Sequence, residues 1–162
     1  MNLDLAFGCQ ARVGKDLACQ YLQNKYFGTI LHFSDPLYKI LYHTQDTCNL
    51  PRQKDRSFLQ LVGEWGRNIN PNIWANILIT SVADAVVGNI YVGDLRYKNE
   101  MKVLKAAGFI CIRIINDNIE LIDHPSEKDL IDADWDHIIY NNGTKEEFYS
   151  QLDELYKKLK LN

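Results

Sequence analysis

The chain has 162 residues, a length for one domain with its own core. It is 46% hydrophobic and 24% charged, the balance of an ordinary soluble globule. A net charge of −3 leaves no dominant basic surface, which argues against a nucleic-acid polymer as partner, and no apolar run approaches the ~20 residues of a membrane span.

The first apolar run, Leu3 to Phe7, suits a buried strand, and Leu17, Ala18, Tyr21 and Leu22 then recur at helical spacing. Between them lies a glycine-bearing loop, Gly8 to Gly14, followed by Lys15. A loop there points main-chain N–H groups and the positive helix end at a phosphate, with the lysine reaching the outer phosphates. The residues this loop brings to a triphosphate are Gly8, Ala11, Arg12, Val13, Gly14, Lys15, Asp16 and Leu17. The spacing departs from the usual one: Cys9 stands at the first glycine position, and Asp16 replaces the hydroxyl residue after the lysine.

Thr29–Phe33 reads as a second strand, and Ser34-Asp35-Pro36 as a helix start. Residues 44–55 are polar and read as a connection. Arg56 to Ile69 is helical, and Asn70-Pro71 starts another helix through about Val87. Asn89–Gly93 is a third strand that delivers Asp94 at its end. A short helix over 97–107 stops at Gly108, and Phe109–Ile115 is a fourth strand. Residues 116–136 are polar and acidic. His137–Tyr140 is a fifth strand, and Thr144 and Glu147 form a capping box for a final amphipathic helix. Strands alternating with helices imply an α/β fold, a five-stranded parallel sheet covered on both faces. Ligands bind such sheets beyond the C-terminal strand ends. Gly8–Lys15, Ser34-Asp35, Asp94-Leu95-Arg96 and the segment after Ile115 all fall at that rim.

These residue types suit phosphoryl transfer, which needs phosphates held in line and their charge neutralised. Asp16 beside phosphates reads as a direct or water-mediated Mg²⁺ ligand, or as an acid favoured by the helix dipole. Asp94 after an apolar strand is a second metal candidate. Arg96 is placed to clamp a phosphate or to pair with a neighbouring acid. Arg67 suits the phosphate of an acceptor. Trp74 either packs the core or lines the acceptor site, and Asp35 either bonds a substrate or caps its helix. The four cysteines, Cys9, Cys19, Cys48 and Cys111, have no metal-like spacing and read as reduced thiols of a cytoplasmic protein. The N-terminus lacks a basic run, so no signal peptide is expected.

The segments ARVGKD, HFSDPLYK, LQLVGEWGRNINPNIWAN, GDLRYKNE with AAGFICIRI, HPSE and NNGTKEEF, in that order, resemble the phage-type deoxynucleoside monophosphate kinases. The resemblance covers nearly the whole chain. It implies a three-layer P-loop kinase fold that moves the γ-phosphate of ATP, with Mg²⁺, to a deoxynucleoside monophosphate. It implies a core of about 1–43, 88–115 and 137–162, an acceptor-binding helical insertion of about 44–87 and a short lid of about 116–136. Lys15, Arg67 and Arg96 match the catalytic cations. Asp35, Arg67, Trp74, Asp94, Arg96 and Glu127 fall to the substrate side, Ser126 and Glu127 matching the lid-side pair. Lids of these kinases bring arginines to the transferring phosphate, yet residues 116–136 hold one cation, Lys128. Arg113 or a basic residue of 52–56 is the alternative source. A viral origin, and so a host-cytoplasmic location, follows from the resemblance alone. A helical face with Trp65 suits a homodimer or the core. Two other readings share the loop: a kinase of another small phosphorylated metabolite, and a nucleotide-binding protein without turnover.

Overall fold

The computed structural model of the protein describes residues 2–85, 88–120 and 128–161. Strands β1 (Leu5–Gly8), β2 (Thr29–Leu31), β3 (Ile90–Leu95), β4 (Ile110–Ile115) and β5 (His137–Tyr140) form one sheet in the order β2-β3-β1-β4-β5. Every pairing is parallel. Parallel neighbours need long crossovers. Those crossovers carry α1 (Lys15–Tyr26), α2 (Asp35–Thr47), α3 (Arg56–Ile69), α4 (Ile73–Asp84) and α5 (Lys98–Ala106), and α6 (Lys145–Leu161) follows β5. The five-stranded parallel α/β sheet expected from the sequence is the one observed.

Strand side chains alternate between faces, and each face has its own core. Leu5, Phe7, Tyr91 and Ile112 meet Ala18 and Leu22 of α1 and Phe148 and Leu152 of α6. Ala6, Val92 and Cys111 point the other way, onto Trp74 and Leu78 of α4 and Met101 and Leu104 of α5. Cys19 and Cys111 are fully buried in these layers, and burial pushes the Cys111 thiol up to about 12. Among the described residues no helix is long and apolar enough to cross a membrane.

Element boundaries shift where polar side chains intervene. Helix α2 continues to Thr47, into the segment expected as a connection. Thr44 and Thr47 hydroxyls donate to the carbonyls of Ile40 and His43 (2.9 and 2.8 Å), and Gln45 is buried. Strand β2 stops at Leu31 rather than Phe33, because the Phe33 and Ser34 N–H groups donate to the Asp94 carboxylate (2.9 and 3.1 Å). Strand β3 runs on to Leu95, so Asp94 lies within it. Asp55 caps α3 by accepting from the Phe58 N–H at 2.9 Å. The capping box of α6 forms as expected, with Thr144 N–H to Glu147 at 2.7 Å and Glu147 N–H to Thr144 Oγ1 at 3.2 Å.

Residues 128–136, the described end of the segment expected as a lid, pack against α5. Lys98 pairs with Asp132 (2.8 Å), and Lys105 with Asp136 (2.9 Å) and Asp134 (3.4 Å). Leu130 is buried in the α4–α5 core, and the Trp135 indole N–H donates to its carbonyl at 3.0 Å. The acidic run of this segment thus answers the lysines of α5. Ser126 and Glu127 lie outside the described residues.

Candidate active site

The loop between β1 and α1 sits beside the point where the strand order reverses, the usual ligand position in such sheets. Cys9, Arg12 and Gly14 have left-handed backbone, with φ of 89°, 65° and 106°. For Cys9 and Arg12 this costs roughly 1–2 kcal/mol each, a strain that a purely connecting loop has no need to hold. Lys15, 7% exposed, opens α1, and its Nζ donates back to the carbonyls of Cys9 and Gln10. Asn141, just beyond β5, donates from Nδ2 to the Val13 carbonyl at 2.9 Å and holds the loop from behind. A Cβ on Gly14 would come within 2.7 Å of that amide.

Two chambers open on this rim. The first, about 610 Å³, is bounded by Ala11, Arg12, Gly14, Lys15, Asp16 and Leu17 of the loop and α1, by Asp35, and by Asp94 and Arg96. The second, about 860 Å³, is bounded by Arg56 and Arg67 of α3, Trp74 of α4, and Tyr97 and Glu100 of α5 and its approach. Ala11, Arg12, Ser34, Lys54, Asp94 and Arg96 border both, so the chambers adjoin.

Two loop residues expected to meet a ligand line neither chamber. Gly8 is the last residue of β1, and its missing side chain makes room for Trp135 and Leu95. A Cβ there would fall 2.5 Å from Trp135 Cη2 and 2.9 Å from the Leu95 carbonyl oxygen. Val13 is fully buried and packs into the α1–α6 core, so only its main chain faces the loop. Among the described residues, none after Ile115 lines either chamber. Arg113 turns away, its Nη1 donating to the Ile131 carbonyl at 2.9 Å.

The carboxylates divide into distinct environments. Asp94 accepts from the Phe33 N–H, the Ser34 N–H and the Ser34 hydroxyl (2.9, 3.1 and 2.9 Å), which ties β3 to the β2–α2 loop. Ser34 therefore latches Asp94 and does not cap α2. Burial pushes the Asp94 carboxyl above its usual range, against the pull of His32 at 3.8 Å and of these donors. Asp35 accepts from the His32 N–H at 2.8 Å. Asp16 is exposed on the first turn of α1, and among the described residues nothing pairs with its carboxylate. Of the two acids expected to meet a metal, Asp94 is thus already bonded and Asp16 is not. No group of three or more His, Cys, Asp and Glu side chains that could hold a metal occurs among the described residues. Mg²⁺ commonly takes one or two carboxylates and fills its shell with phosphate oxygens and water. Asp16 fits that role.

The second chamber is built on a buried acid that the sequence reading did not single out. Glu100 accepts from the N–H groups of Arg96 and Tyr97 (3.0 and 3.1 Å), which fixes the turn that presents both side chains. Burial pushes Glu100 up to about 8; Asp94 adds to the rise, while the two N–H groups and Arg67 oppose it. The Arg67 guanidinium lies 4.9 Å from the Tyr97 ring centroid, a cation–π contact. Trp74 is 4% exposed and donates its indole N–H to the Gly63 carbonyl at 3.0 Å. It both packs the α3–α4 core and offers an apolar wall. Only Glu100, at N3 of its helix, left a trace in the sequence, as a helix-start acid.

A strained loop ending in a lysine at a helix N-terminus, on the rim of a parallel sheet and next to a cation-lined chamber, is the arrangement of a P-loop kinase. The wider fold agrees. The solved structure of a gluconokinase from Sinorhizobium meliloti 1021 superposes with a TM-score of 0.51 over 99% of this chain and 96% of that one, at 11% identity. Sequence comparison is more specific. The profile of the family described as deoxynucleotide monophosphate kinase matches residues 56–152. A provisionally named deoxynucleotide monophosphate kinase of Acanthamoeba polyphaga mimivirus is 30% identical over 170 residues, 86% of this chain and 88% of its own. The uncharacterized protein ORF76 of Ictalurid herpesvirus 1 (strain Auburn) is 27% identical, over 98% of this chain and 68% of its own length. The chain belongs to the deoxynucleotide monophosphate kinase family, and is a phosphotransferase.

Proposed function

We propose that the protein transfers the γ-phosphate of Mg²⁺-ATP to a deoxynucleoside monophosphate, giving ADP and the deoxynucleoside diphosphate. The observation that carries this reading is the pair of adjoining chambers, one on the Lys15 loop and one on Arg67, meeting at Arg96. A phosphate donor and a phosphate acceptor each need a chamber, and the transferred group must pass where the chambers touch.

The chemistry fits the residues present. A nucleoside monophosphate is itself the nucleophile, because its phosphate is mostly dianionic near pH 7, with a second pKa of about 6. No general base is needed; the requirement is positive charge. An oxygen of the acceptor phosphate forms a bond to the γ-phosphorus. The bond from that phosphorus to the β,γ-bridging oxygen breaks, and its electron pair leaves with ADP. In this reading Lys15 and the loop N–H groups hold the donor phosphates. Arg67 grips the acceptor phosphate beside Tyr97, Arg96 spans donor and acceptor, and Trp74 walls the acceptor chamber. Asp16 would hold Mg²⁺, which when bound neutralises charge on the donor phosphates. Asp94 keeps the Phe33–Ser34 loop in place, and Asp35 orders the start of α2.

A coupled ADP-release assay over a panel of deoxynucleoside and ribonucleoside monophosphates tests the proposal. At least one deoxynucleoside monophosphate should raise ADP release far above the rate with ATP alone. Binding of ATP without turnover on any monophosphate would overturn it.

A further inference from the structure

The phosphate that moves between the chambers needs cations at the crossing point, and the expected source of them is missing. Residues 116–136 carry one lysine and no arginine. The part of that segment from 128 onward is tied to α5 by ion pairs and Trp135, and Arg113 is engaged with Ile131. The connection between α2 and α3 offers a replacement. Lys54 borders both chambers, together with Arg12, Ser34, Asp94 and Arg96.

The segment around Lys54 is held on both sides. Gln45, buried on α2, donates to the Gln53 carbonyl at 2.9 Å and accepts from the Gln53 N–H at 3.1 Å. On the other side, Asp55 is locked as the cap of α3. Lys54 therefore sits between two fixed neighbours, and its main chain needs little reorganisation when substrates bind. Its charge is not taken up: among the described residues no carboxylate pairs with it. Two residues earlier, Arg52 shows the contrast. It forms a double contact with Asp46 (2.9 and 2.5 Å), stacks over Tyr42, and borders neither chamber.

From this geometry we infer that Lys54 is a catalytic residue of the transfer step. It meets the γ-phosphoryl group where the two chambers adjoin and supplies the charge that a lid arginine would otherwise bring. The inference rests on the kinase reading above. A cation that meets charge only as it develops acts on the chemical step rather than on ground-state binding.

The test compares Lys54→Ala, Lys54→Arg and Arg52→Ala with the unaltered protein, using kcat, calorimetric Kd for ATP and for the monophosphate separately, and circular dichroism. Lys54→Ala should lose about 10²–10³-fold in kcat, the scale of one lost charge-stabilising donor, while each separate Kd moves less than about threefold. Lys54→Arg should recover part of the loss, and Arg52→Ala should match the unaltered protein. A kcat for Lys54→Ala within threefold of the unaltered protein, or a loss confined to Kd, overturns the assignment. If the unaltered protein phosphorylates no monophosphate, the kinase reading fails separately. Lys54 is then judged by binding of linear tetrapolyphosphate, a polyanion without a nucleoside. A loss of about tenfold or more in Lys54→Ala supports a phosphate site at the junction, and an unchanged affinity refutes it.

Discussion

Replacing Glu100 with glutamine should remove much of the pH dependence of stability near neutrality. The side chain is 5% exposed, and its folded-state pKa is about 8 against an ordinary value of 4.5. Between these values the folded protein holds a proton that the unfolded chain has released, so stability is complete at low pH and falls as pH rises toward 8. Each pH unit inside the window costs about 1.4 kcal/mol. From pH 5.5 to 7.5 the loss from this one group is therefore about 2–3 kcal/mol. With a denaturant slope of about 2–3 kcal/mol/M in urea, the unfolding midpoint should drop by about 1 M across those two pH units. Glutamine keeps an oxygen acceptor for the N–H groups of Arg96 and Tyr97 and cannot ionise. In Glu100→Gln the fall should be much smaller over the same range, with what remains left to the raised carboxyls Asp94 and Asp4. The acids with lowered values, Asp46, Asp132 and Asp153, contribute stability that is complete above about pH 4 and do not disturb the window. Urea titrations at pH 5.5, 6.5 and 7.5 decide the matter. An unchanged slope in the variant would refute the claim that Glu100 carries the dependence.

Gly66→Ala should destabilise despite the better helix propensity of alanine. Its Cβ would lie 2.4 Å from Trp74 Cζ2, on a ring pinned by its bond to Gly63. Overpacking of about 3 kcal/mol less a propensity gain of roughly 1 leaves a net loss of about 2 kcal/mol, seen as a Tm lower by about 4–8 °C in a chain of this size; an unchanged Tm would show that the ring can move aside. Lys15→Ala should keep the fold, because the amine's bonds to the Cys9 and Gln10 carbonyls lie within the loop and the side chain is not part of the apolar cores. Turnover should nonetheless fall by about 10³, and turnover close to that of the unaltered protein would exclude a catalytic role.

Much of the fold was legible because each strand is an apolar run and each helix carries its own boundary chemistry. Leu5, Phe7, Ile112 and Ile114 declare buried strands, and Thr144 with Glu147 declares a helix start. Boundaries went astray where a polar group finds a partner far along the chain. Nothing near Phe33 announces that its N–H will meet Asp94, 61 residues on. Thr44, Gln45 and Thr47 look like loop residues until their hydrogen bonds to main chain are seen. At the site, sequence spacing singled out the loop, Arg67, Arg96 and Asp94, and the structure gathers these around two adjoining chambers. At Gly8 spacing could not show that the missing side chain makes room for Trp135, because a glycine beside a phosphate loop and a glycine beneath a tryptophan look alike in one dimension. Tyr97 and Asn141 were silent, and Glu100 showed only as a helix-start acid, for a related reason. A buried acid, a stacked ring and a bracing amide take their significance from neighbours in space. Lys54 lies in a segment with no periodicity, where charge alone cannot say which way a side chain faces.

The amide that braces the phosphate loop has a consequence for how the chain is made. Asn141 lies 128 residues downstream of the Val13 carbonyl it supports. Asp153, which accepts from the hydroxyls of Tyr21 and Tyr26, arrives later still. Chains are synthesised from the N-terminus at about 5–20 residues per second, so the loop leaves the ribosome long before its braces. A nascent chain arrested before Asn141 would carry the whole loop sequence without the groups that hold its backbone in place, and nucleotide capture should switch on late in translation.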